Sequence, residues 1–279
     1  MENVILWLAF LTLALPPALE QWHAEIESVG GAPVYVAEVE FSPDGQQISL
    51  PDATPARPLF AQYLRQEDFV RQFILMRGVL IHHHGPDGQA HLVLLNGARR
   101  PEWGAHQDAL IAHEFGHAWL RAKGYPAPVF QPGPLACLAI HTGDIVQHVL
   151  IRREMEARGI DHLALWLASL EAATAGAAVL PDNEGMAKIR AGDPCLALRQ
   201  AAEWADVRLG FAGSRPEIVE SYEVEMRRLF PDLERAVSSI AEAVRSRKVE
   251  DHQQHLDALR QVNALLRRLV DELANPDSP

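Results

Sequence analysis

The run GVLIHHHGPDGQAHLVLLNG, residues 78–97, constrains the fold more than any other stretch of the chain. Two β-rich segments flank Gly-Pro-Asp-Gly, and turn residues between two such segments specify a hairpin. Upstream, PVYVAEVE (33–40) alternates apolar and polar residues as a half-buried strand does. Sheet is therefore expected near the N-terminus. Elsewhere the period changes. Residues 59–75 and 105–122 have helical apolar spacing, and Gly124 and Pro126 end the second run. Residues 135–159 read as mostly helical, with Gly143 a point where the helix can break and Thr142 or Asp144 can cap a second one. Helical stretches follow near 162–178 and 194–208, while Asp-Asn-Glu-Gly (182–185) reads as a turn.

The last 65 residues carry three apolar stripes. Ile218, Tyr222, Met226 and Leu229 form the first, Pro231 interrupts, and Leu233, Val237, Ile240 and Val244 form the second. Leu259, Val262, Leu266, Leu269 and Leu273 alternate by three and four, a heptad seam across two repeats. A helical hairpin packed on the core, or an arm for homodimerisation, satisfies this pattern. The expected class is α+β: a small N-terminal β-hairpin and sheet region, then a mostly helical domain with a C-terminal helical hairpin.

The 279 residues are 48% hydrophobic and 22% charged, which supports a substantial core, and the net charge of −12 argues against nucleic acid as a partner. Residues 4–15, VILWLAFLTLAL, have the length of a signal-peptide apolar core, without a basic residue before them. Residues 1–18 thus read as an export signal or membrane tether, with a buried first element as the alternative. The location expected is secreted, periplasmic or membrane-anchored, with cytoplasmic as the alternative. Cys137 and Cys195 read first as buried thiols, and as one disulfide if the chain is exported.

The run ALIAHEFGHAWLRAKGYP (109–126) carries the chemistry. Positions i and i+4 stack on one helix face, so His113 and His117 can present two imidazoles to one ion. Glu114 is turned to the side, where a general base is needed. Zinc with three protein ligands and one water lowers that water's pKa to about 7. Glu114 can accept the proton as water attacks a carbonyl and pass it to the leaving nitrogen.

His-Glu-Phe-Gly-His resembles the signature of the zincin metallopeptidases. The longer AHEFGHAWLRAKGYP is similar to the peptidase region of plant LIM-domain, ubiquitin-activated growth regulators, over about 15 residues. The resemblance implies Zn2+ on His113 and His117, a base role for Glu114, and a protein or peptide substrate. No LIM-type cysteine array is present, and the downstream Glu-Glu-Gly run of those proteins has no counterpart at the corresponding distance. On this basis residues 19–210 are expected to form a zincin-like metallopeptidase domain and 211–279 a C-terminal helical region.

A third ligand is required. Metzincins place a histidine six residues after the second one and a glycine between, but Lys123 and Leu120 stand there. The segment HTGDIVQHVLIRRE (141–154) is the better source. Asp144 and His148 share a helix face amid apolar neighbours, with His141 a further two turns back. His148 is the expected ligand. Asp144 is the alternative ligand or a carboxylate supporting the histidine, Glu154 is a further alternative, and a core Asp–His pair is the reading without metal.

Other histidines invite attention. His82 and His84 share one face of their strand and His83 the other. A second metal site with His91 competes with a solvated hairpin end. His106, His252 and His255 read as surface positions, and the direction of Tyr125 is open. Three functions fit: a zinc peptidase, a metal hydrolase of a non-peptide amide, or a non-catalytic helical interaction protein with a structural metal site.

Overall fold

The strand Gly88–Asn96 (β4) is buried from Ala90 to Asn96, with Leu92–Leu95 apolar on both faces, which makes it a central strand and fixes the layers around it. The computed structural model describes residues 15–41, 48–86, 88–127, 135, 137–192, 194–211 and 213–275. The chain is α+β and divides into two compact units, residues 1–122 and 123–279. Of the apolar run 4–15, residues 4–14 lie outside the described residues. Among the described residues no helix is long and apolar enough to cross a membrane.

In the first unit α1 (Pro17–Gly30) precedes β1 (Val34–Phe41), β2 (Ile48–Ser49), α2 (Arg57–Leu64), α3 (Glu67–Phe73), β3 (Gly78–Gly85), β4, α4 (Arg100–Trp103) and α5 (Gln107–Ala122). The sheet order is β2-β1-β4-β3, with β1 parallel to β4 and β3 antiparallel to it, so β3 is an edge strand. The hairpin turns where the sequence signal lies, Gly85 pairing with Gly88. One sheet face packs Ala37, Val39, Ala90, Leu92 and Leu94 against Phe60 of α2 and Phe73 of α3. The expected single helix over 59–75 is instead α2 and α3. The break at Arg65 and Gln66 starts a second helix whose Phe73 reaches the core. On the other face lie α1 and α5, with Trp22 and Phe115 edge to face at 6.5 Å. Asn96, fully buried, closes β4: its Nδ2 donates to the carbonyls of Phe73, Ile74 and Met76, and its backbone oxygen accepts from Trp103 Nε1.

The second unit is helical among the described residues: α6 (Cys137–Ala157), α7 (Leu163–Ala178), α8 (Glu184–Arg190), α9 (Pro194–Gly210), α10 (Pro216–Leu229), α11 (Glu234–Arg245) and α12 (His252–Ala274). Helix α6 runs unbroken through Gly143, which is buried. Helix α8 begins within the stretch expected as a turn, after Asn183 takes a left-handed conformation. Helices α6, α9, α11 and α12 pack on one another, and α10 joins α7 to them. The three apolar stripes are buried here, Leu273 alone being partly exposed, and α11 and α12 form the expected hairpin. Cys137 and Cys195 form a disulfide between the starts of α6 and α9, which corrects the reading as free thiols. A helix boundary brings each cysteine to the same end of a packed helix pair.

Candidate metal centre

Helix α5 is buried continuously from Ala109 to Gly116, so His113 and Glu114 sit in an apolar environment, each with no more than 7% of its surface exposed. The four-residue spacing brings the His113 and His117 rings to 5.0 Å between centroids, at 84°. Glu114 points toward the sheet. A methyl group on Gly78, the first residue of edge strand β3, would lie 3.4 Å from Glu114 Oε1. The absence of a side chain at Gly78 thus leaves the strand backbone close beside the carboxylate.

His148 is held by the second unit's own helices. Its Nδ1 lies 3.4 Å from Asp206 Oδ2 on α9, and its Nε2 3.9 Å from Asp144 Oδ1 one turn earlier. Arg152, the next residue on the same stripe of α6, donates from Nη1 to both Asp206 oxygens at 2.8 and 2.9 Å. Gly210 makes room for that guanidinium, since a Cβ there would lie 2.6 Å from Arg152 Cζ. Burial pushes the Asp206 carboxyl up, but Arg152 and His148 outweigh it and hold it at about 2. Burial pushes the His148 ring down, and Asp206 with Asp144 more than reverses this. Burial raises the Asp144 carboxyl, although 36% of its side chain stays exposed.

Among the described residues, His113, His117 and His148 each offer one donor atom, and the three atoms lie within 4.8 Å of one another. Three ligands around one tetrahedral ion at about 2.05 Å stand about 3.3 Å apart, so the donors are at most about 1.5 Å from that geometry. All three are imidazoles, a donor set suited to zinc and its transition-metal neighbours. Asp206, on Nδ1 of His148, is the carboxylate that commonly orients a metal-bound imidazole.

The alternatives fall elsewhere. Glu154 pairs with Arg158 at 2.6 Å. His141 is partly buried, and burial and Arg199 lower its ring to about 4. The hairpin histidines are not simply a solvated end. His83 is buried, with Nδ1 3.0 Å from Tyr63 Oη, and His91 is buried beside His82. His255, expected at the surface, is fully buried, its Nδ1 3.2 Å from the Val249 carbonyl, because the chain before α12 folds back over it. His252 is exposed and His106 partly so. Tyr125 donates to the Glu250 carbonyl and stacks near His252 and His255.

Sequence reasoning missed Asp206. Its signal was a carboxylate between Ala205 and Val207, both buried, in a helix where a charge needs a partner. Comparison of the chain with protein-family models, curated proteins and solved structures returns no match.

Proposed function

We propose that the chain is a zinc-dependent peptidase of the zincin type, with His113, His117 and His148 as metal ligands and Glu114 as general base. The observation that carries this reading is the approach of three imidazole nitrogens to within 4.8 Å, with a buried carboxylate one residue from the first of them. Zinc there would supply Lewis acidity and lower the pKa of water to about 7. Glu114 accepts the proton from the attacking water and returns it to the leaving amine. Asp206 holds His148 in one orientation through Nδ1, leaving Nε2 for the ion. Among the described residues β3 has a strand neighbour on one side only, so its outer edge could receive an extended peptide, and it begins at Gly78 against Glu114. Residues 19–210 would form the peptidase domain and 211–279 its helical accessory. The disulfide supports a place outside the cytosol, with residues 1–18 as signal or anchor.

One observation favours a second reading. Asp144 Oδ1 lies 3.9 Å from His148 Nε2, near enough to become a fourth ligand and close the site as a structural one in an interaction protein. Glu114→Gln separates the two. Zinc content by mass spectrometry should stay stoichiometric while cleavage of a broad peptide library is lost. Equal cleavage by wild type and variant, or its absence in both, overturns the peptidase reading. Retention of stoichiometric zinc by His148→Ala removes His148 from the ligand set.

A further inference from the structure

The β3–β4 hairpin carries another pair of imidazoles, separate from the three-histidine group. His82 and His91 stand directly opposite each other in the register. The His91 N–H donates to the Pro33 carbonyl on its other side, so it makes no backbone bond to β3. Antiparallel pairs of that kind bring their side chains closest. The ring centroids are 4.9 Å apart at 81°, and the two Nδ1 atoms are 2.8 Å apart.

At that distance one Nδ1 must donate and the other accept, because a neutral imidazole carries a single N–H. One proton therefore sits between two converging lone pairs. Two neutral rings satisfy this arrangement, and neutral imidazole is the state that binds metals. The two differ in access. His91 is buried, with its Nε2 4.0 Å from where a Gly30 methyl would stand, whereas His82 is exposed. One ligand is anchored and the other faces solvent.

Binding an ion through both Nδ1 atoms moves the shared proton to Nε2 of the donor ring, so both imidazoles stay neutral, and turns the two rings toward a point beside the line joining them. Two imidazole nitrogens on one ion at about 2.05 Å stand about 2.9–3.4 Å apart, so the pair needs to open by a few tenths of an ångström. The carbonyl end of α1, terminating at Gly30 beside His91, adds negative partial charge, while Arg121 weakens the attraction.

We propose that His82 and His91 form a second metal site, for a divalent transition cation that prefers imidazole nitrogen, binding Cu2+ more tightly than Ni2+ or Zn2+. Solvent completes its coordination on the exposed side of His82. The site does not depend on whether the three-histidine group holds zinc.

The test uses the full-length protein pre-equilibrated with Zn2+ and titrated with Cu2+ by calorimetry, with zinc release followed by mass spectrometry and copper coordination by electron paramagnetic resonance. Wild type should take up one Cu2+ without releasing zinc, with a dissociation constant on the order of micromolar and nitrogen hyperfine structure from two imidazoles. His82→Ala, at an exposed position, should weaken uptake at least about tenfold with zinc content unchanged. His84→Ala should bind as wild type does. Equal uptake by wild type and His82→Ala, or copper uptake matched by zinc release, overturns the proposal. Should His82→Ala misfold by circular dichroism, His82→Gln replaces it with the same outcomes. Zinc content alone reports on the three-histidine reading, so the two can fail separately.

Discussion

Replacing Asp206 with alanine isolates what α9 contributes to His148. Arg152 is 7% exposed and has both Asp206 oxygens within 2.9 Å, so the substitution strands a buried guanidinium. Removing one partner of a buried pair costs about 3–5 kcal/mol. The carboxyl's own shift, from 3.8 to about 2, corresponds to about 2.4 kcal/mol by linkage. Asp206 is 23% exposed, which favours the lower end, so the expected loss is about 2–4 kcal/mol. Guanidinium denaturation should show the midpoint falling at unchanged slope. Arg152→Met combined with Asp206→Leu removes both charges and should lose much less than Asp206→Ala alone. The conservative Asp206→Asn should weaken zinc binding by about 10–100-fold, because His148 loses the carboxylate on Nδ1. A loss under about 1 kcal/mol for Asp206→Ala, or a double variant less stable than the single one, would refute the reasoning.

Three further expectations follow from packing, titration and cross-linking. Asn96→Ala leaves the carbonyls of Phe73, Ile74 and Met76 without their shared donor and should cost about 2–4 kcal/mol by thermal unfolding. Reducing the Cys137–Cys195 bond, whose partners are 58 residues apart, should lower unfolding free energy by about 4 kcal/mol on the chain-entropy estimate, measured with and without reductant. His141, with its ring lowered to about 4, stays neutral in the folded state where the unfolded chain already takes a proton. Stability should therefore fall as pH drops from about 6.5 to about 4, by at most about 3 kcal/mol, and His141→Gln should flatten that part of the profile in pH-dependent denaturation.

Local chemistry was readable where local chemistry decides. The Gly-Pro-Asp-Gly turn, the α5 limits and the stripes Ile218–Leu229 and Leu233–Val244 needed only period and turn residues. The imidazoles of His113 and His117 share a face for the same reason. Departures arose where a distant partner decides. The boundary between α2 and α3 follows from seating both Phe60 and Phe73 in one core, although the apolar spacing runs through it without interruption. Helix α8 owes its start to a left-handed Asn183, and only glycine fits at 185, because a Cβ there would lie 2.2 Å from the Phe230 ring. Asp206 reaches His148 from another helix, a pairing across 58 positions that no spacing rule contains. The burial of His91 and His255 likewise comes from Gly30 and from the turn before α12, not from their own neighbours.

The double burial of β4 also dictates an order of assembly. Its pairing with β3 closes over a two-residue turn, the kind of hairpin that forms in about 1–10 μs. Its pairing with β1 joins Val34 to His91 and must wait for a long loop to close. In the interval β4 is a naked, apolar strand with one free edge. A nascent chain paused at that stage is at its most prone to aggregate, and the arrival of β1 is the event that ends the hazard.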